Sequence, residues 1–231
     1  MRRLLVAGLV CVGLASPALA DYDSAMSAYR SGDFATALKG FLVEAEAGDA
    51  QSQAALGIMY ARGDGVGKDV ARAAEWLAKA GEQGHVRAQH LMGRIHHSGS
   101  LGERDVEKAI AWFEKSAKGG YVSAHLALSS VYYNGEGVEK DFAKAARHAR
   151  IAAEGGIVNA QMHYGYMLFQ GEGVARDLGE AYFWLYIATQ KGLHEAVPLI
   201  NQISKEELGT EARLAIERRA NDWKPVPPKT E

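Results

Sequence analysis

Five glycines, Gly48, Gly84, Gly120, Gly156 and Gly192, stand 36 residues apart without a gap. A fixed period of that length marks a chain built from one supersecondary unit copied in tandem, each copy touching only its neighbours. Other residues keep the same beat: Asp33, Asp69, Asp105, Asp141 and Asp177; Ala37, Ala73, Ala109, Ala145 and Ala181; and Gly63, Gly99, Gly135 and Gly171. Trp76, Trp112 and Trp184 share one slot, which His148 fills in the third unit.

Within a unit, apolar residues recur at three- and four-residue spacing on either side of a glycine-rich break, which predicts two short helices. In the first unit, 49–84, Ser52, Leu56, Met59 and Tyr60 form the inner stripe of one helix. Gly63-Asp64-Gly65-Val66 turns the chain, because glycine adopts the positive φ that ends a helix. Asp69 then stands where its carboxylate can cap the free amides of a second helix, a contact worth about 1 kcal/mol. That helix carries Ala73, Trp76, Leu77 and Ala80 and stops at Gly84, the small residues letting the pair approach closely. The further units are 85–120, 121–156 and 157–192. A lone pair of such helices buries too little to offset its ordering entropy, so neighbouring units are expected to stack into one continuous core. The second unit departs from the pattern: Ser98-Gly99-Ser100-Leu101-Gly102 displaces the second glycine, which predicts a reshaped turn.

The ends differ from the middle. Residues 21–48 read as an N-terminal capping helix pair with a shortened loop, Arg30-Ser31-Gly32-Asp33. Residues 193–223 read as a partial repeat, with Pro198 in an opening turn, followed by a capping helix announced by the capping-box pattern Ser204-Lys205-Glu206-Glu207. Residues 224–231, with three prolines, read as a disordered tail. Ahead of all this, Arg2 and Arg3, an apolar run from Leu4 to Leu14 and Ala18-Leu19-Ala20 have the makeup of a signal peptide, 1–20, cut before Asp21. The run falls short of the roughly 20 residues that span hydrocarbon, so no integral membrane segment is expected after cleavage. The single cysteine, Cys11, lies inside it and leaves the mature chain without a thiol. Stability must then come from packing in a periplasmic or secreted setting where disulfides would persist. No Asn-x-Ser/Thr sequon occurs, which favours a bacterial periplasm.

A net charge of −2 gives no reason to expect a nucleic-acid partner. Catalysis has no visible candidates: no serine has a lysine three residues on, and no Walker loop, His-Glu-x-x-His or Gly-x-Ser-x-Gly occurs. His85, His90, His96 and His97 crowd into the second unit, and His90 and His97 share a helical face. No cysteine or carboxylate joins them there, whereas zinc takes three or four convergent ligands, so no metal is expected. His96, in the slot of Tyr60 and Tyr132, reads as packed core. No cofactor is expected, and the chain reads as a monomer.

The pattern Ser52, Leu56-Gly57, Tyr60, Gly63-Asp64-Gly65-Val66, Asp69, Ala73, Trp76, Ala80, Gly84, with Gly135-Glu136-Gly137-Val138 and Gly171-Glu172-Gly173-Val174 in later units, resembles the Sel1-like repeats. These are relatives of tetratricopeptide repeats with a longer inter-helix loop, and the resemblance covers about residues 33–196. It implies an all-α, right-handed superhelical solenoid whose first helices line a concave face. It also implies an adaptor or scaffold in bacterial envelope regulation, surface assembly or host contact. One secreted branch of that family, with a cysteine pair in each repeat, is linked to penicillin binding; this chain has none of those cysteines.

The functional expectation is therefore an exported scaffold or regulator, not an enzyme, that binds a partner protein or peptide. A secreted effector or host-contact protein is the alternative, and a penicillin-binding or β-lactamase-like activity a minor one. The first-helix positions outside the inner stripe predict where a partner would sit, because aromatic and arginine side chains are enriched at binding surfaces. They are His90, Arg94 and His97, then Tyr133, then Tyr166 and Phe169, a groove growing more aromatic toward the C-terminal end.

Overall fold

A computed structural model describes residues 21–206 and 208–226. The expected signal peptide and residues 227–231 of the expected tail lie outside the described residues. All regular structure among the described residues is helical. The N-terminal pair is α1 (Tyr22–Arg30) and α2 (Phe34–Glu46), and the first unit is α3 (Ala50–Arg62) and α4 (Val70–Glu82). The second is α5 (Val86–Ser98) and α6 (Val106–Lys118), the third α7 (Val122–Asn134) and α8 (Phe142–Glu154), the fourth α9 (Val158–Gln170) and α10 (Leu178–Gln190). A 3-10 turn, His194–Ala196, leads into α11 (Val197–Glu206), and α12 (Thr210–Asp222) closes the chain. From α1 to α10 the principal partners of each helix are its neighbours in sequence, which makes the molecule a helical solenoid.

The periodic glycines each close a helix in the same way. Gly84, at φ +90°, donates its N–H to the Gly81 carbonyl, and His85 donates to the Ala80 carbonyl, the paired bonds of a Schellman end. Equivalent six-residue closures run from Asp49 to Glu44, Tyr121 to Ser116, Ile157 to Ala152 and Leu193 to Ala188. A Cβ at Gly84 would meet nothing within 4 Å, so the left-handed backbone alone calls for glycine there. The periodic aspartates open the second helices: Asp33, Asp69, Asp105, Asp141 and Asp177 accept from the amide three residues on at 2.8–3.1 Å. Each of the last four also donates its own N–H to a carbonyl at the end of the preceding helix, such as Tyr60 for Asp69, and so draws the loop shut.

Inside a unit the helices meet through a small-against-large pair. A Cβ placed on Gly57 would lie 2.5 Å from Leu77 Cγ, one on Gly93 2.5 Å from Phe113, and one on Gly165 2.8 Å from Leu185. The third unit carries Ser129 in that slot and faces it with Ala149, so the volume has moved from one helix to the other. Between units, Gln53, Gln89 and Gln161 donate to the carbonyls of Ala45, Gly81 and Ala153 in the last turn of the preceding helix.

Consecutive helices pack on one another along the whole stack, but the deepest burial is uneven. Fully buried side chains form one large cluster from Val106 to Ala220 and two smaller ones, one around Phe41, Leu56 and Met59, the other around Leu77, Ala88 and Met92. Within the large cluster, α10 is apolar nearly all round and buries Tyr182, Phe183, Trp184 and Leu185. Its outer side is covered by α12: Tyr182 donates to Glu217 at 2.7 Å, Arg219 lies over Phe183, and Trp223 sits edge-on to Trp184.

Two expectations at this end are corrected. Ser204 does not cap the last helix; its hydroxyl donates to the Ile200 carbonyl inside α11, and α12 begins after Gly209. Burial of Ile203 holds the chain helical through the serine, overriding the local capping signal. Nor is the whole of 224–231 loose: Val226 donates to the Glu154 carbonyl at 2.8 Å, and Pro225 lies against Gly156. Pro225 and Val226 thus reach the open end of α8, whose last carbonyls need donors.

Candidate functional site

The side chains near the ends of α3, α5, α7 and α9 decide what the first-helix face offers. In the slot of Ala61, His97, Tyr133 and Phe169, the polar side chains of His97 and Tyr133 reach across a junction toward the next unit's inter-helix loop. Tyr133 donates to Glu172 at 2.8 Å, and Tyr29, which ends α1 in the same register, donates to Asp64 at 2.5 Å. His97 works through Arg104, whose Nη2 is 2.7 Å from His97 Nε2 and 2.5 Å from Glu136 Oε2. These are latches between consecutive units, and the acid is the middle residue of each Gly-x-Gly turn. One junction lacks the latch: Ala61 has no polar reach, and Ser100 stands where the acid would be.

The second glycine of the turn makes a further contact. At Gly65 an added Cβ would strike Phe34, at Gly137 Val106, and at Gly173 the backbone of Phe142, so the loop packs on the start of the previous unit's second helix. In the second unit Leu101 occupies that slot and is exposed, Gly102 takes φ +131° into open space, and Val70 is left facing a cavity. The reshaped turn expected from the sequence is therefore present, and it opens the junction between the first two units.

That cavity encloses about 560 Å³. Ile58 and Ala61 of α3, Leu77 of α4 and Leu91 and Ile95 of α5 give it an apolar floor. Arg62, Lys68, Arg87, Arg94 and His97 rim it, and no carboxylate lines it. Cavities beside the inter-helix loops carry both signs instead, with Glu103, Asp105 and Lys108 in one and Glu139, Asp141 and Lys144 in another. A smaller space of about 330 Å³, lined by His90, Phe113, Leu126 and Ser130, shares Arg94 and His97 with the first. The two make a groove across α3, α5 and α7 with Arg94 and His97 as the ridge between them.

Of the six side chains expected to hold a partner, Arg94 and Tyr166 are exposed, and His90, His97 and Tyr133 are half-buried. Phe169 is 9% exposed, packed in the large core cluster with the Arg176 guanidinium over its ring, and is not available to a partner. Tyr133 is tied to Glu172 and wedged edge-on between Phe142 and His163; burial, then that carboxylate, pushes its hydroxyl pKa far up. Of the aromatic side chains expected at the C-terminal end of the groove, Tyr166 alone is exposed, whereas Tyr133 is engaged and Phe169 is buried.

His90 rests against Phe113 and Tyr121, and burial followed by the neighbouring Arg94 charge lowers its pKa to about 4. Burial, then Arg104, also lowers that of His97, with Glu136 acting in the opposite sense. His96 is half-buried at the loop cavity, not core. No three metal-ligating side chains converge among the described residues.

Arg62, Arg87 and Lys68 were not singled out by sequence reasoning. A signal did exist: Arg87, Leu91 and Arg94 lie on one face of α5, where the other units carry neutral residues in both arginine slots.

The fold and this face define a tandem helical-repeat protein with a groove across its first helices. The Sel1 repeat family model matches residues 50–85, 86–121, 122–157 and 158–193, and the chain belongs to that family. Sel1-repeat proteins are protein-interaction scaffolds. Among solved structures, a Sel1 repeat protein from Oxalobacter formigenes superposes with a TM-score of 0.74 at 23% identity, covering 89% of this chain and 86% of that one. The antigen c5321, present in uropathogenic Escherichia coli strains and displaying the same repeat fold, gives 0.53 at 24% identity over 86% of this chain and 52% of its own. A Sel1 repeat protein from Klebsiella pneumoniae subsp. pneumoniae gives 0.52 at 24% identity, covering 79% and 91%. These likenesses establish the fold. No match was found among curated proteins.

Proposed function

We propose that this chain is an exported scaffold or regulator, acting in the periplasm, that holds a partner protein or peptide on the concave face of its first helices. The observation that carries the reading is the groove across α3, α5 and α7, apolar at its base and rimmed by arginines, with no carboxylate in its lining. Stacked repeats supply such broad surfaces, and binding needs no catalytic group. Export rests on the leader-like residues 1–20. No helix among the described residues is long and apolar enough to cross a membrane.

The test is site-specific photocrosslinking in the producing cells. A benzophenone amino acid at Leu91 should give one recurrent protein adduct in the periplasmic fraction, and the same group at exposed Glu75 of α4 should not. Adducts from Glu75 alone would move the site off this face. Recovery of the protein from the culture medium would favour the secreted reading.

A further inference from the structure

The junction between the first two units departs from the repeat framework in several ways at once. The latch is missing at Ala61 and Ser100, and the loop glycine is replaced by Leu101. Three cations appear where the other units are neutral. Arg62 stands in the slot of Ser98, Asn134 and Gln170; Arg87 in that of Gln51, Ser123 and Asn159; Arg94 in that of Ile58, Ser130 and Tyr166. All three line the same cavity. Repeat geometry explains none of this, because the other junctions stack without it.

None of the three charges meets a carboxylate directly among the described residues. Arg62 donates to the Tyr29 hydroxyl at 3.3 Å, a neutral partner, and neither Arg87 nor Arg94 has a carboxylate within ion-pair distance among the described residues. Like charges gathered around an apolar floor repel one another unless an anion joins them.

We infer that the cavity between the first and second units binds an acidic, apolar segment of a partner polypeptide. Carboxylates of the segment engage Arg62, Arg87 and Arg94, and an aliphatic side chain settles between Ile58 and Leu91. Guanidinium groups grip carboxylates through paired N–H donors, which orients the segment as well as attracting it. Other anions fit less well. No phenylalanine, tyrosine or tryptophan lines the cavity to stack a nucleic-acid base, and a recess walled by three helices does not meet a flat bilayer surface. The volume has room for a few side chains, within the range of small-ligand sites. The inference rests on the scaffold reading above and names the chemistry of its partner.

A library of immobilised decapeptides probed with the purified protein tests it. Bound peptides should be enriched in Asp and Glu interleaved with Leu, Ile or Val. Arg87→Glu with Arg94→Glu, both on exposed side chains, should weaken the best peptide about tenfold or more in fluorescence anisotropy. Arg147→Glu with Arg218→Glu, of equal charge and remote from the cavity, should leave it unchanged. Affinity should fall as salt rises from about 0.05 M to about 0.5 M.

Peptides without acidic enrichment, no bound peptide at all, or equal binding by the reversed variant with an unchanged circular dichroism spectrum would overturn the inference. So would binding of phosphatidylglycerol vesicles or single-stranded DNA in preference to the peptides. Leu91 crosslinks to a protein whose binding ignores the arginine reversals would leave the scaffold reading standing and sink only this one. Absence of any Leu91 adduct would remove the scaffold reading itself.

Discussion

At the scale of single residues, Gly57, Gly93 and Gly165 are set by what faces them, whereas Gly84 is set by its backbone angle. The Gly93 slot has no space because Phe113 fills it, and Ser129 keeps its Cβ because Ala149 faces it. Gly93→Ala should therefore destabilise the protein by about 1–3 kcal/mol, the usual cost of overpacking, in urea unfolding. Ala149→Leu should cost a similar amount alone, and Ser129→Gly should recover most of it, giving a double-mutant coupling of roughly 1 kcal/mol or more. Additive effects would show that the two slots are not paired across the helices. Gly93 could not be assigned this role from its own position; comparison of the four units within the one sequence reveals it.

At the scale of an element pair, the third unit replaces Gln with His125 and Trp with His148, and the two imidazoles meet, Nδ1 to Nδ1, at 2.9 Å. Such a contact is a hydrogen bond only if one nitrogen carries a proton and the other does not. Burial, then His125, lowers the His148 pKa to about 4, and burial lowers that of His125. With folded values below the unfolded 6.5, the unfolded chain takes up protons first. The stability these histidines contribute is whole above about pH 6.5 and drains away as pH falls toward about 4. The melting temperature should fall through that window. His125→Gln with His148→Trp, which restores the other units' pairing, should raise the melting temperature at neutral pH and flatten part of the slope; an unchanged slope would assign it to His90 and the other buried imidazoles. Both histidines are visible in the sequence as departures from the repeat, but their contact spans two helices, and no spacing rule announces it.

At the scale of the whole molecule, a solenoid is as stable as its local interfaces, and the core here is divided unevenly. The cluster from Val106 to Ala220 holds most of the large buried side chains, whereas the first junction combines a thin cluster, an absent latch and a cavity. Amide hydrogen exchange should show α3 to α5 opening well before α9 and α10, with α10 the slowest to exchange. Uniform protection along the chain would contradict this division. A binding site at the junction that lacks the latch has a physical logic, since groups left out of the stack are the ones free to engage something else.

What the sequence alone determined is everything governed by neighbours a few residues away: the 36-residue period, the paired helices, the aspartates that open them and the glycines that close them. Those contacts are closed by backbone amides and carbonyls within about one helical turn, so they can be read along the chain. Tertiary structure decided which side chains of the first-helix face stay available. Tyr133 is taken up by a carboxylate across a junction, Phe169 is buried in the core under the Arg176 guanidinium, Ser204 is held inside α11 by a buried isoleucine, and three arginines spread over 32 residues line one cavity that no carboxylate lines. Burial and charge pairing depend on what lies across a gap in space, and that distance is not written in residue spacing.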